Sequence, residues 1–475
     1  MSLESMNSNN SDQNIPADVF RNLVDDFSLG KFEDVSKEIS TLMAEFPKSS
    51  NLWNLLGATN FQLGKLQSAL DCYEKSISLN PNYAEAYNNL GNTLREQGKT
   101  EEAINSYKSA LVIKPDLYET LYNLGELFQG KGEFLKAIQN YKETLKINPR
   151  NPEVYNGMGN SYKSLGDLEE AILSYHKAIS IKPDYTEAQS NLIDTLTFYK
   201  SHKPIFNSIC DANMEIGKLS FENNNELMSD KDIADLLCKA TDIINRFKIK
   251  TNYPKTQTAR RYSASLNCDR HMSIFNKHNI IPEFCFNCYK VQIAPKNVID
   301  LIKLFFVFDK LKLKNNNIRK CMIELRQKVP GFYKGFIYCS SLKEANEIAK
   351  ELDNSIKRTM DLKLYTEVKR GCSEYYFSFP EYKKINSSDD RSMSYDDTWR
   401  VLEKTFDRKT PKTRKKSPTI PGLSLSDCLI IQNWISYAKG IGDETGDLIF
   451  NKTLFSDYFY KLAKNRTNLY PFGTQ

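Results

Sequence analysis

The amino-acid sequence of 475 residues predicts an α solenoid of paired helices over residues 16–200, followed by a smaller α+β domain. Three observations support this: four residue types recur every 34 positions in the first half, the apolar periodicity becomes strand-like near residue 284, and the net charge reverses sign. Residues 1–200 hold 19 Lys and Arg against 27 Asp and Glu, whereas residues 201–475 hold 46 against 32. We therefore expect a domain boundary near residue 200.

The 34-residue period is carried by glycine, alanine, tyrosine and proline in one phase. The series are Gly30, Gly64, Gly98, Gly132 and Gly166; Ala69, Ala103, Ala137 and Ala171; Tyr73, Tyr107, Tyr141 and Tyr175; and Pro47, Pro81, Pro115, Pro149 and Pro183. Glycine allows a turn with positive φ, and proline ends a helix because its ring cannot continue one. Each period therefore predicts two antiparallel helices, and stacking buries the apolar face that one pair leaves exposed.

The residues of one period, Trp53, Leu56, Gly57, Ala69, Tyr73 and Pro81, and their three successors resemble the tetratricopeptide repeat (TPR). The matching repeats are 50–83, 84–117, 118–151 and 152–185, with a degenerate capping repeat at 16–49 and a closing half-repeat helix at Thr186–Phe198. The resemblance implies a curved solenoid that binds other proteins on its concave face, which the first helices of the repeats line.

Asparagines recur on these first helices. Asn89, Asn123 and Asn191 share the sixth position of their repeats, and Asn92 and Asn160 share the ninth. Because each side chain offers a donor and an acceptor, such a row can hold the backbone amides of an extended peptide. The row is similar to the asparagine ladder in the TPR superhelix of O-linked N-acetylglucosamine transferases, although it is incomplete. The alternative interpretation is a solvated helix face without a ligand.

The second half predicts the element order β-α-β-β-α-β with one extra strand. The predicted strands are Phe284–Ile293, Arg319–Leu325, Phe332–Cys339, Leu362–Val368 and Glu374–Phe379, and the helices are Val298–Leu311 and Leu342–Asp353. This order is that of the ferredoxin-like, split βαβ fold, an antiparallel sheet with both helices on one face. We assign this domain to residues 284–388, with a disordered N-terminus (1–15), a helical connector (201–283) and a segment of basic loop and C-terminal helices (389–475).

Two basic features leave nucleic-acid binding open. The third predicted strand contains Lys334–Tyr338, which partly resembles the RNP1 motif of RNA-recognition domains, where aromatic side chains stack on bases. The alternative is that Phe336 and Tyr338 are ordinary strand aromatics. The run Lys404–Lys416 contains seven Lys and Arg and is interpreted as a solvated loop or as a contact for a phosphate-rich partner.

A structural zinc site is predicted from Cys268-x2-His271 and Cys285-x2-Cys288, which are separated by 13 residues. Two such pairs suit tetrahedral zinc, because each pair bends around one ion and the intervening chain closes the loop. His278 could replace His271. In the alternative interpretation, Cys285 and Cys288 are core thiols that point to opposite faces of the strand Phe284–Ile293.

No catalytic motif stands out. The chain contains no GxxxxGK[ST] phosphate loop, and none of the four histidines begins the His-x-Asp/Glu pair of an iron dioxygenase. The first residues lack the apolar segment of a secretory signal and no stretch is apolar enough to span a membrane, so we expect a cytoplasmic protein with reduced cysteines. The expected function is a non-enzymatic scaffold that binds a protein or peptide; the alternative is a TPR-recruited enzyme or RNA-binding factor.

Overall fold

The computed structural model describes residues 15–200, 205–219, 228–263, 268–326, 329–360, 364–383, 385, 393–407, 417–450 and 453–467. Internal contacts divide the chain into two compact units, between Ala188 and Gln189. The predicted disordered N-terminus, apart from Ile15, and residues 408–416 of the basic run lie outside the described residues.

The first unit consists of consecutive helix pairs in the predicted register. The helices are α1 (Ala17–Ser28), α2 (Phe32–Glu45), α3 (Ser50–Gln62), α4 (Leu66–Leu79), α5 (Ala84–Glu96), α6 (Thr100–Ile113), α7 (Tyr118–Gly130), α8 (Phe134–Ile147), α9 (Pro152–Leu165), α10 (Leu168–Ile181) and α11 (Thr186–Leu196), the last spanning the division. Within each repeat the second helix packs on the first. The predicted solenoid of TPR-like pairs is confirmed.

The glycine series lies at the turns between paired helices, as predicted. All five glycines have φ between +74° and +94°, the region in which a Cβ would be strained. These residues are Gly30, Gly64, Gly98, Gly132 and Gly166. Each turn reverses the chain within a few residues, so the paired helices lie side by side.

A second glycine in each full repeat lets the paired helices approach closely. A Cβ built on Gly91 of α5 would lie 2.6 Å from Cε1 of Tyr107 in α6, and Tyr107 is completely buried. The same arrangement joins Gly57 to Tyr73, Gly125 to Tyr141 and Gly159 to Tyr175. The tyrosine ring therefore occupies the space that a larger side chain would need.

We expect Gly91→Ala to destabilise the repeats by about 1–3 kcal/mol, because the new methyl group overlaps a buried ring that cannot move into solvent. Thermal unfolding monitored by far-UV circular dichroism measures this. Gly130→Ala is the matched control, since Gly130 is also helical and has no atom within 4 Å of its added Cβ. Equal unfolding midpoints for the two variants would show that the Tyr107 ring can move aside without a loss of stability.

The second unit combines helices with a five-stranded sheet. Its helices are α12 (Ser208–Ile216), α13 (Asp230–Arg246), α14 (Cys268–His278), α15 (Glu283–Phe286), α16 (Val298–Lys310), α17 (Leu342–Thr359), α18 (Asp397–Asp407), α19 (Leu425–Ile441), α20 (Asp447–Phe450) and α21 (Asp457–Thr467). Its strands are β1 (Gln257–Arg260), β2 (Tyr262–Ser263), β3 (Tyr289–Ile293), β4 (Arg319–Ile323), β5 (Tyr333–Cys339), β6 (Thr366–Arg370) and β7 (Ser417–Pro418).

The sheet has the strand order β1-β4-β5-β3-β6, and all neighbours are antiparallel. The sequence β3-α16-β4-β5-α17-β6 is the predicted β-α-β-β-α-β order, and α16 and α17 pack on the sheet and on each other. Gly335 of β5 allows the close contact, because a Cβ there would lie 2.4 Å from Cδ2 of Leu304 in α16. The predicted ferredoxin-like arrangement is confirmed.

Two predicted strands were wrong in part or in full. Residues 283–286 at the start of Phe284–Ile293 form the helical turn α15, and the strand begins only at Tyr289. Glu374–Phe379 is not a strand, since Ser373–Tyr376 forms a 3-10 helix after the turn at Gly371, where φ is +53°. Phe286 in the first segment and Tyr375, Tyr376 and Phe379 in the second pack into one local cluster, so aromatic content alone overstated the tendency to form a strand.

The structure differs from the predicted division of residues 201–475 into connector, domain and terminal helices. β1, from the predicted connector, extends the sheet beside β4, and α19, from the predicted terminal segment, packs against α16, β1 and β4. Every residue of α19 except Lys439 is buried, and Nε1 of Trp434 donates to the carbonyl of Thr256 at 2.7 Å. α19 is therefore a central element of the second unit.

Candidate functional site

A groove of about 600 Å³ lies on the first unit, lined by the first helices of the repeats, α3, α5, α7 and α9, and by the turns that precede α7 and α9. Six of its lining residues are asparagines: Asn54, Asn88, Asn89, Asn92, Asn123 and Asn151. The groove is therefore rich in side-chain amides, which can both donate and accept hydrogen bonds.

The asparagines form pairs between successive repeats. Nδ2 of Asn89 donates to Oδ1 of Asn54 at 3.1 Å, and Nδ2 of Asn123 donates to Oδ1 of Asn88 at 3.1 Å. Oγ1 of Thr120 donates to the same Asn88 oxygen at 3.0 Å. Each donating asparagine still has a second N–H and its carbonyl oxygen, and the pairing holds these groups in fixed orientations.

The remaining predicted asparagines have different surroundings. Oδ1 of Asn92 accepts a hydrogen bond from Tyr107 at 2.7 Å in the groove. Asn160 accepts the equivalent bond from Tyr175 at 2.8 Å but does not line the groove. Asn191 belongs to the second unit. The structure thus brings together Asn89, Asn92 and Asn123 from the predicted set.

Sequence reasoning missed Asn54 and Asn88, which accept the bonds from Asn89 and Asn123. A signal was present, since Asn54, Asn88 and Asn156 share the fifth position of their repeats. Asn54 is completely buried and also donates to Tyr83 at 3.3 Å. In these two pairs, the fifth-position asparagine accepts a hydrogen bond from the sixth-position asparagine of the next repeat.

Tyrosines add buried polar groups near the asparagines. Oη of Tyr122 donates to Oε1 of Glu126 at 2.7 Å. Burial is the larger cause and the hydrogen bond to this carboxylate the smaller cause of a raised pKa of Tyr122. Burial also raises the pKa of Tyr107 to about 12. Both hydroxyls therefore stay protonated at neutral pH and act as fixed donors.

The four residues of the predicted zinc site lie on or beside two short helices. Cys268 and His271 are on α14, where the side chain of Cys268 lies outside the described residues; Cys285 is on α15, and Cys288 follows it. His271 is buried, with its ring stacked on Phe284 at 5.7 Å. Among the side chains that the structure describes, no three His, Cys, Asp or Glu residues form a metal-binding group. Because the Cys268 side chain is not among them, the zinc site stays a prediction.

Cys285 instead has a thiol partner that the sequence did not indicate. It forms a hydrogen bond with Cys372, which lowers the pKa of Cys372 against the effect of burial. The same bond raises the pKa of Cys285. The register explains the contact, because the amide of Gly371 donates to the carbonyl of Cys288 and places Cys372 beside the helical turn. The strand interpretation of Cys285 and Cys288 was wrong.

The strand that resembles RNP1 is β5. Phe336 is 8% exposed, and the ammonium group of Lys290 lies 5.4 Å from its ring centroid. The ammonium group of Lys320 lies 5.9 Å from the ring of the half-buried Tyr338. Phe336 is therefore largely covered, whereas Tyr338 is only half-buried, and the nucleic-acid alternative stays a prediction.

No helix in the described part of the chain combines the length and apolar character needed to cross a bilayer.

These features define a helical-repeat protein with an additional α+β unit. Family models described as TPR repeat match residues 91–132 and 130–166, and models described as tetratricopeptide repeat match residues 72–105, 50–83 and 152–185. Residues 50–185 therefore consist of tetratricopeptide repeats. This confirms the resemblance seen in the sequence.

Several solved structures are similar to part of this chain at low identity. A thermophilic TPR protein from Thermus thermophilus, TTC0263, is 23% identical, with 37% of this chain and 96% of that chain covered and a TM-score of 0.32. YrrB, described as a TPR protein with an unusual peptide-binding site, is 17% identical, with 35% and 86% covered and a TM-score of 0.31. MamA is 24% identical, with 34% and 93% covered and a TM-score of 0.32. No curated protein matches the chain.

Proposed function

We propose that the chain is a non-catalytic scaffold that holds an extended segment of a partner protein in the asparagine-lined groove. The observation that carries this proposal is the pairing of Asn89 with Asn54 and of Asn123 with Asn88 along one groove. The pairs orient side-chain amides before a ligand arrives, so binding costs little side-chain entropy. An extended backbone presents alternating N–H and C=O groups, which amides can match without regard to side-chain identity.

A reducing, cytoplasmic setting fits this scaffold. Among the cysteines whose side chains are described, Cys285 and Cys372 lie within hydrogen-bonding contact and yet are not joined by a disulfide. In an oxidising compartment, such adjacent thiols are expected to form disulfides.

The test begins with peptides selected from a random display library on the full-length chain. We expect Asn89→Ala, Asn92→Ala and Asn123→Ala together to weaken their binding about tenfold or more, because each lost side-chain hydrogen bond removes about 1 kcal/mol. Fluorescence anisotropy of the labelled peptides measures the dissociation constant, and far-UV circular dichroism verifies the helical content.

Asn160→Ala serves as the control for this experiment. It removes the hydrogen bond from Tyr175, which is equivalent to the Tyr107 bond that Asn92→Ala removes, but at a position that does not line the groove. We expect it to leave peptide affinity unchanged. Equal affinities for the wild type and the triple variant would exclude the groove as the binding site.

A further inference from the structure

The groove carries more negative than positive charge. Four carboxylate residues line it, Glu85, Asp116, Glu119 and Glu153, whereas Lys114 supplies the single lysine or arginine among the described lining residues. A partner segment that fits this groove must therefore enter an excess of negative charge. The distribution of this charge along the repeats indicates where a cation would bind.

A periodic ion pair neutralises the groove glutamates in two of three repeats. Glu85, Glu119 and Glu153 occupy equivalent positions in the first turns of α5, α7 and α9. Nζ of Lys114 lies 3.0 Å from Oε1 of Glu85, and Nζ of Lys182 lies 3.7 Å from Oε1 of Glu153. The equivalent partner of Glu119 would be residue 148, which is Asn148. The middle repeat thus lacks the lysine that its neighbours have.

Glu119 and the nearby Asp116 form no ion pair with any residue in the described part of the chain. The hydroxyl of Tyr118 hydrogen-bonds to Glu119, which raises the pKa of Tyr118. Tyr118 and Tyr122 both line the groove beside these carboxylates. Two carboxylates next to aromatic rings make a favourable environment for a lysine or arginine head group, which gains both charge pairing and cation–π attraction.

A glutamate in the first turn of a helix also has a structural role, because it interacts favourably with the positive end of the helix dipole. That role explains why all three glutamates are present. It does not account for a lysine at two of the equivalent positions and an asparagine at the third.

We propose that the segment bound in the groove carries a lysine or arginine whose head group lies between Glu119, Asp116 and the two tyrosines. This inference rests on the proposed function and specifies the chemistry of its partner. In the bound state, the partner's cation takes the place that Lys114 and Lys182 hold in the neighbouring repeats.

Asn148→Lys tests this inference with a substitution that the neighbouring repeats already accommodate. The new lysine should pair with Glu119 and compete with the ligand. The probes are two labelled, capped dodecapeptides that alternate threonine with lysine or threonine with glutamine, measured by anisotropy on the full-length chain. We expect the wild type to bind the lysine peptide about fivefold more tightly, and Asn148→Lys to remove most of this difference.

Lys114→Asn is the converse variant, because it frees Glu85 from its ion pair. We expect it to strengthen binding of the lysine peptide severalfold, with little effect on the glutamine peptide. Added salt should reduce the preference for lysine in every variant.

The outcomes separate this inference from the proposed function. In one outcome, Asn148→Lys leaves the preference for the lysine peptide intact, while the triple asparagine variant binds both peptides more weakly. The cation site is then overturned and the groove function stands. If Asn148→Lys removes the preference but the triple variant binds both peptides like the wild type, the cation site stands and backbone recognition by the asparagines fails. A wild type that binds the two peptides equally overturns the cation site.

Discussion

Replacing Asp427 by alanine should destabilise the second unit by about 3–5 kcal/mol, the usual cost of leaving a buried charge without its partner. Asp427 at the start of α19 is completely buried. Its Oδ1 accepts from Thr258 at 2.6 Å, and its Oδ2 accepts from Arg260 at 3.0 Å and from the Ser424 hydroxyl at 2.6 Å. One carboxylate therefore caps α19 and joins it to β1.

The arginine in this network explains the size of the expected effect. Arg260 is 1% exposed, and its other carboxylate partner is Asp309, whose Oδ1 lies 2.6 Å from Nη2. Burial alone would lower the pKa of Arg260, but Asp427 and Asp309 outweigh it and raise the pKa. Without Asp427, the buried guanidinium of Arg260 would stay charged but would keep Asp309, which is more exposed, as its one carboxylate partner.

Urea unfolding followed by tryptophan fluorescence measures the change, because Trp434 lies on the same buried helix. Asp397→Ala provides the control, since Asp397 pairs with Arg400 at 3.0 Å on the surface with 83% of its side chain exposed. We expect no measurable shift for the control. An Asp427→Ala protein as stable as the wild type would mean that Asp309 alone compensates Arg260.

The second large effect is expected from Glu324→Gln, which removes a buried carboxylate that two cations hold. Glu324 is 1% exposed; Lys334 donates to Oε2 at 2.9 Å and Arg326 donates to Oε1 at 2.8 Å. Burial alone would raise the pKa of Glu324, but these partners outweigh it and lower the pKa from 4.5 to about 2. We expect a loss of about 3 kcal/mol at pH 7.

The pH dependence gives this prediction a second signature. Because the folded pKa lies below the unfolded one, the stabilisation by Glu324 is complete above pH 4.5 and disappears as the pH falls towards 2. The difference in unfolding free energy between wild type and Glu324→Gln should therefore shrink over this interval. Burial lowers the pKa of Lys334 although Glu324 raises it. The cost of burying the charged Lys334 therefore offsets part of the stabilisation that Glu324 provides.

Urea titrations at a series of pH values test both statements. Glu367→Gln is the matched control, because Glu367 forms a 3.0 Å pair with Lys369 but is 62% exposed. We expect the control to follow the wild-type pH profile. A stability difference for Glu324→Gln that stays constant from pH 7 to pH 2 would contradict the assigned protonation change.

The repeats were predictable because their decisive contacts are local and periodic. Gly91 meets Tyr107 within one repeat, and Gly98 supplies the turn between them, so one 34-residue period contains the information for each helix pair. The asparagine pairs were only half predicted. Asn89 contacts Asn54 across 35 residues, one more than the period, so a comparison of equivalent positions does not reveal the pair.

In the second unit, the order of strands and helices was also predictable, since alternating apolar residues and cap residues act over short distances. Ser341 illustrates this, because its hydroxyl caps α17 by accepting from the amide of Glu344 at 3.2 Å. The aromatic segment 373–376 was not predictable, because its rings bury themselves in a cluster with Phe286 and Ile281 rather than in a sheet.

The sequence by itself determined the TPR solenoid and the β-α-β-β-α-β order, because both depend on periodicities that each segment contains. Only the tertiary structure decided that β1 and α19 complete the α+β unit and that Arg260 and Asp427 form its buried ion pair. These two residues are 167 positions apart, and in the sequence each resembles an ordinary surface charge. Their burial is a property of the packed elements around them, which no local pattern records.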